Sequence, residues 1–149
     1  MNTKERLQQA LKEALRARDL RRKETLRTAL AEIKHAEVER GRPLKEDEVI
    51  AVLRKQIKMR RETLDAARQA GRADRAQEAE EAIAILEAFL PQPMSPEALE
   101  ALARQVIEEV GAQSPKDMGK VMRVLMPRLQ GRASGSEASQ VVRRLLQNG

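Results

Sequence analysis

Lys116, Lys120 and Arg123 lie four and then three residues apart. On a helix, at about 100° per residue, that spacing sets all three on one narrow face. Met118, Met122, Leu125 and Leu129 fall on the opposite face. Such a segment buries one side and holds three cations toward something negatively charged. The chemistry open to it is phosphate recognition, because ammonium and guanidinium groups on phosphate oxygens fix position without reading bases. Arg128 and Arg132 follow within one or two turns, and Arg143 and Arg144 can extend the surface. Gly119, Gly131 and Gly135 keep the backbone accessible beside these cations, since a glycine lets a partner approach the main chain closely. The same cations also fit an ordinary solvated helix face, and the residues alone leave both readings open.

Little else in the chain offers chemistry. With no Cys there is no disulfide framework, thiolate zinc site or cysteine nucleophile. The single His, His35, has no Ser, Cys or second His near it and reads as structural or exposed. Glu80/Glu81 and Glu108/Glu109 are neighbours in sequence, so on a helix they diverge and form no dyad. No Gly-rich phosphate loop follows a strand, and no Gly-x-Ser-x-Gly elbow exists. No catalytic residue, metal or cofactor is therefore expected. Phe89 is the only aromatic residue, so base stacking at several places is excluded. An RNA partner would be read by folded shape and phosphates.

The elements that must position these residues are helices throughout. Stripes at helical spacing run through Leu7, Leu11 and Leu15; Leu26, Leu30 and Ile33; Val49, Leu53, Ile57 and Leu64; and Ala79, Ile83, Leu86 and Leu90. Breaks fall at Gly41-Arg42-Pro43 and at Gly71. Asp19 fits either a cap or a mid-helix position. Lys45-Glu46-Asp47-Glu48 makes an acidic first turn that suits the helix dipole. Pro91-Gln92-Pro93-Met94 forbids a continuous helix and reads as a linker. Beyond it, Ser95-Pro96 opens a helix with the stripe Leu99, Leu102, Val106 and Val110, closed by Gly111. Ser114-Pro115-Lys116-Asp117 repeats the cap-then-proline signal, and Pro127 is expected to kink or end the helix that follows. Ser134-Gly135-Ser136-Glu137 matches a capping box before the stripe Ala138, Val141, Val142 and Leu145. The reading is an all-α chain in two parts, residues 1–90 and 94–149. The first is a helical hairpin or bundle of about four helices; the second is a small domain of three to four.

Charge supports a nucleic-acid partner only in part. Lys and Arg number 29 against 23 acids, a net of +6. Of the cations 20 are Arg, and 22 residues are Ala, which also fits a coding bias or an ion-paired, heat-adapted surface. The asymmetry within the second part is sharper. Residues 95–114 carry four acids and one Arg, net −3, whereas residues 115–149 carry seven cations and two acids, net +5. A second basic patch, Arg54, Lys58, Arg61 and Arg68 with Lys55 and Arg60, has Glu62 and Asp65 near it and reads as a solvated face. No apolar stretch is long enough to span a membrane, and the N-terminus lacks a signal-peptide core, so a cytoplasmic location is expected.

Taken together, these segments resemble the GatB/YqeY family. The resemblance is carried by Leu26-Arg27 with Ile33-Lys34, Glu48-Val49, Ala70-Gly71-Arg72 and Phe89-Leu90-Pro91. Its most distinctive part is Asp117-Met118-Gly119-Lys120-Val121-Met122 with Gly131-Arg132-Ala133. The family often has Tyr where Phe89 stands and Asp-Gly where Ser134-Gly135 stands; both swaps keep shape or capping ability. A Thr or Ser cap is usual where Lys45 stands, which suggests a frayed start to the third helix. The resemblance implies a two-part helical fold. Its second part looks like the tail domain of the GatB component of aspartyl/glutamyl-tRNA amidotransferase, a tRNA-binding module. Free-standing members are often labelled with glutamine-dependent carbon–nitrogen ligase activity. That label needs an activated nucleophile for glutamine and a cradle for ATP and metal, and neither is found in these residues. The expectation is a non-catalytic accessory that binds tRNA or another structured RNA through Lys116, Lys120, Arg123, Arg128 and Arg132, with Arg143 and Arg144 extending the surface and Gly119 and Gly131 allowing close approach. The alternative is an adaptor that docks an amidotransferase or aminoacyl-tRNA synthetase through its helices.

Overall fold

Local punctuation decides where each element begins and ends. The computed structural model describes residues 1–148 and contains seven α-helices and one short 3₁₀ turn, with no strand among the described residues. The chain is all-α, as the helical spacing predicts. It divides into two compact units, Met1–Leu90 and Pro91 onward.

The first unit holds α1 (Thr3–Ala17), α2 (Leu20–Arg40), α3 (Glu46–Gln69) and α4 (Ala73–Glu87). Asp19 is a cap: its carboxylate accepts from the Arg22 N–H at 3.1 Å, and Arg18 before it takes the left-handed conformation. Gly41 closes α2 at φ +69°, a backbone state that a side chain would strain. Leu7, Leu26, Ile33, Leu53 and Leu86 lose all contact with solvent, and Ala10, Ala14 and Ala29 line the seams between helices.

Two expectations fail here. Leu15 does not belong to the buried stripe and is half exposed, because α1 buries Thr3, Leu7, Ala10 and Ala14, and Leu15 lies about 100° beyond Ala14. Nor is the start of α3 frayed. The Lys45 side chain makes no cap bond, but its N–H donates to Glu48 at 2.8 Å, and Arg42 grips the same carboxylate at 2.8 and 2.9 Å. Glu46 accepts the Thr3 N–H at 3.2 Å and the Thr3 hydroxyl, tying α3 to the first residue of α1.

The second unit holds α5 (Pro96–Val110), the 3₁₀ turn (Pro115–Asp117), α6 (Met118–Leu129) and α7 (Gly135–Asn148). Ser95 caps α5 through the Ala98 N–H at 3.1 Å. The box at α7 is also present, with Ser134 Oγ accepting from the Glu137 N–H at 3.1 Å and the Ser134 N–H donating to Glu137 at 3.4 Å. Each of the three helices packs on the other two around Leu99, Ala103, Val106, Val121, Leu125, Leu129, Ala138 and Val142. Pro127 sits within α6, which runs on for two residues. The left-handed pair Gln130 and Gly131 then turns the chain out.

Candidate functional site

The segment around α6 begins at the cap-then-proline start that its sequence suggests, with Pro115 in the first turn and the acid at Asp117 turned back on the cap. Ser114 makes no side-chain cap bond. Instead Asp117 turns back: its carboxylate accepts the Gln113 N–H at 2.9 Å and the Ser114 N–H at 3.3 Å. Those two N–H donors hold the Asp117 carboxyl below its usual range, helped by the nearby Lys120 charge. The first turn, Pro115–Asp117, is 3₁₀, so Lys116 precedes α6 and does not continue the α-helical row of Lys120 and Arg123.

From there α6 divides as its spacing predicts. Leu125 and Leu129 are buried, and Met118 and Met122 are partly buried against the same core. Val121, absent from the predicted apolar face, is a fully buried member of it. Met126 is more exposed, at the flank of this face. Lys116, Lys120 and Arg123 are all exposed and have no ion pair or hydrogen bond among the described residues.

The other four predicted contact residues are not alike. Arg143 is exposed and unpaired, like Lys116 of the 3₁₀ turn and Lys120 and Arg123 of α6. Arg128 donates to Glu109 of α5 at 2.6 Å. This bond keeps the Glu109 carboxyl below its usual range and raises the Arg128 guanidinium above its own. Arg144 lies 3.4 Å from Glu100, which Arg104 also reaches at 3.0 Å. Arg132 is an anchor: its Nε donates to the Gln92 carbonyl at 3.0 Å, and its own carbonyl accepts the Met94 N–H at 2.9 Å. The acids of residues 95–114 thus neutralise two of the seven cations, and the −3 charge of that stretch was the sequence signal for it.

The two glycines also part company. Gly131 has φ +76°, so its turn requires it. Gly119 has ordinary helical backbone, and a Cβ built on it would meet nothing within 4 Å. Neither conformation nor packing asks for glycine there, and in a helix it costs about 0.5–1 kcal/mol relative to Ala.

The second basic patch, on α3, is bound up with its neighbour. Arg61 donates to Glu87 at 2.6 Å and Arg68 to Glu80 at 2.7 Å, both on α4. These partners, and not Glu62 or Asp65, answer two of its six cations, while Lys55 and Lys58 are exposed without an ion pair. His35 faces Glu39 at 3.2 Å, one turn along α2, and both are largely exposed. No helix is long and apolar enough to cross a membrane, and among the described residues no three His, Cys, Asp or Glu side chains gather where they could share a metal ion.

A family model described as Yqey-like protein matches residues 4–146. No curated protein matches the chain.

Proposed function

The chain belongs to the Yqey-like protein family, and from that premise we propose that it is an accessory protein that binds tRNA or another structured RNA through the outward face of α6. The observation that supports this reading most directly is the set Lys116, Lys120 and Arg123, exposed and unpaired around a glycine with no structural reason to be there. In a unit where Arg128 and Arg144 have carboxylate partners, three neighbouring cations stand outside ion-pair distance of any carboxylate, with Asp117 acting on Lys120 only from farther off, and are available to phosphate. Gly119 removes the side chain that would hold a sugar–phosphate backbone away from the helix. The face carries no nucleophile or general base, so its part is to hold RNA while another protein does the chemistry.

Filter binding with unfractionated tRNA tests the reading. Binding is expected at low salt, falling steeply as salt rises, with a slope of about 0.7–0.9 per phosphate contact. Changing Lys116, Lys120 and Arg123 together to Ala should weaken it about 10- to 100-fold and flatten the slope by about three contacts. Absence of binding at low salt, or binding indifferent to the triple change, would sink the proposal.

A second reading is favoured by Leu15 and Leu20, which flank the α1–α2 turn and are half and largely exposed. Such a pair suits a protein partner, an amidotransferase or aminoacyl-tRNA synthetase. Recovery of such an enzyme after nuclease treatment, lost on Leu20→Glu, would favour it over RNA binding.

A further inference from the structure

In the first unit, a cavity of about 410 Å³ lies between α2, α3 and α4. Thr25, Thr28 and Glu24 of α2, Arg60 and Thr63 of α3, and Arg75 of α4 contribute to its walls. Two further wall arginines are already committed. Arg21 is paired with Glu81 at 3.0 Å and lies 3.8 Å from Glu78, and Arg72 is 3.5 Å from Asp74. Arg75 has no carboxylate within ion-pair distance, and the charge of Asp74 acts on it only from farther off.

Arg60 is the anomaly. Its Nε is buried and has no hydrogen-bond partner. It has no carboxylate within ion-pair distance; the charge of Glu24 acts on it only from farther off. Buried polar groups in folded proteins almost always have partners, so a half-sunk guanidinium without an acceptor calls for one. Thr25 of α2, only 2 % exposed, also lines the cavity and carries a hydroxyl. With the committed pairs set aside, Arg60 and Arg75 outweigh Glu24 by one positive charge.

We infer that this cavity is a binding site for a phosphate group, free or carried by a small metabolite. Residues that carry donors line it from three helices. A tetrahedral oxyanion can accept from all of them, whereas a planar carboxylate meets guanidinium groups in a single plane. The volume falls at the lower end of small-molecule pockets, about 300–1,000 Å³, which leaves room beside the phosphate for a small organic body. Glu24 and the paired acids of the rim disfavour polyanions, so this site is distinct from the RNA-binding role proposed for α6 and does not rest on it.

The test is titration of the full chain with inorganic phosphate and, separately, with glycerol 3-phosphate, at fixed ionic strength, read by calorimetry and by amide chemical shifts. Saturable shifts at Thr25, Thr28, Thr63 and Arg75 are expected. Arg60→Met and Arg75→Ala should each weaken binding at least about tenfold while leaving tRNA binding unchanged. Equal affinity for the two ligands assigns the site to free phosphate; tighter binding of the ester assigns it to a metabolite. No saturable shift at millimolar ligand, shifts confined to α6, or an affinity untouched by Arg75→Ala would overturn the inference. Arg75 is exposed, so that variant keeps the test valid even if Arg60→Met fails to fold.

Discussion

The seam between α3 and α4 in the first unit and the outward cations of the second put positive charge to different uses. In the first unit, Arg21, Arg61 and Arg68 each reach a carboxylate on α4, and Lys4 reaches Glu37 of α2 at 3.0 Å. Those side chains brace helix against helix, and their positive charge is answered within the fold. In the second unit Arg128 and Arg144 do the same, but Lys116, Lys120, Arg123 and Arg143 have no such partner. A count of basic residues cannot separate the two cases; the location of the acids can. Exposed pairs add little stability, about 0–1 kcal/mol each, so the contrast concerns availability to a partner more than strength.

The largest blow to the comparison should come from the cores. Leu125 is fully buried in a small unit, and Leu125→Ala should cost about 2–5 kcal/mol. Urea unfolding followed by amide NMR should show the second unit melting early while Leu26 and Leu53 stay protected. Simultaneous loss of both sets of signals would show that the units do not stand apart. Next comes a direct contrast of cations. Arg61→Ala with Arg68→Ala should leave tRNA affinity within about twofold, against the 10- to 100-fold loss expected for the α6 triple change. Equal losses would mean that pairing does not distinguish the patches.

A finer test uses the glycines. Gly131→Ala should destabilise by about 1 kcal/mol because of its positive φ. Gly119→Ala should stabilise by about 0.5–1 kcal/mol and yet weaken RNA binding. A Gly119→Ala protein that is both more stable and fully active in binding would remove the functional reason for that glycine. The smallest effect concerns acid. The Asp117 carboxyl titrates below its unfolded value, so its stabilisation is complete above the ordinary carboxylate pKa and is lost as pH falls through the lowered folded one. Asp117→Asn should therefore lower the melting temperature of the second unit at neutral pH, and the gap from wild type should close under strong acid. A constant gap across pH would assign the loss to packing instead.

Signals confined to a few neighbouring residues could be read from the sequence. Ser95 before Pro96, Gly41 and Gly111 past helix ends, and the Ser134–Glu137 box all mark boundaries through bonds spanning one turn. The split of α6 was legible for the same reason. Leu15 was misplaced because alanine, at Ala10 and Ala14, takes the buried seam positions that a leucine stripe would claim. Two of the seven cations of the candidate site could not be read locally. Arg128 and Arg144 find their acids 19 and 44 residues away, and no periodicity reports contacts at that distance. The same holds for Arg60, whose lack of a partner is a property of three helices meeting.

Phe89 carries a consequence in time. Its buried ring lies 5.3 Å from the Arg6 guanidinium and 6.0 Å from that of Arg22, measured to the ring centre. Residues from the two earliest helices therefore wait for almost the last residue of their unit. At about 5–20 residues per second, a ribosome needs roughly 3–13 s to pass from Leu26 to Phe89. Throughout that interval the nascent chain holds Leu7 and Leu26 without their finished surroundings. The first unit is an assembly that closes from its far end.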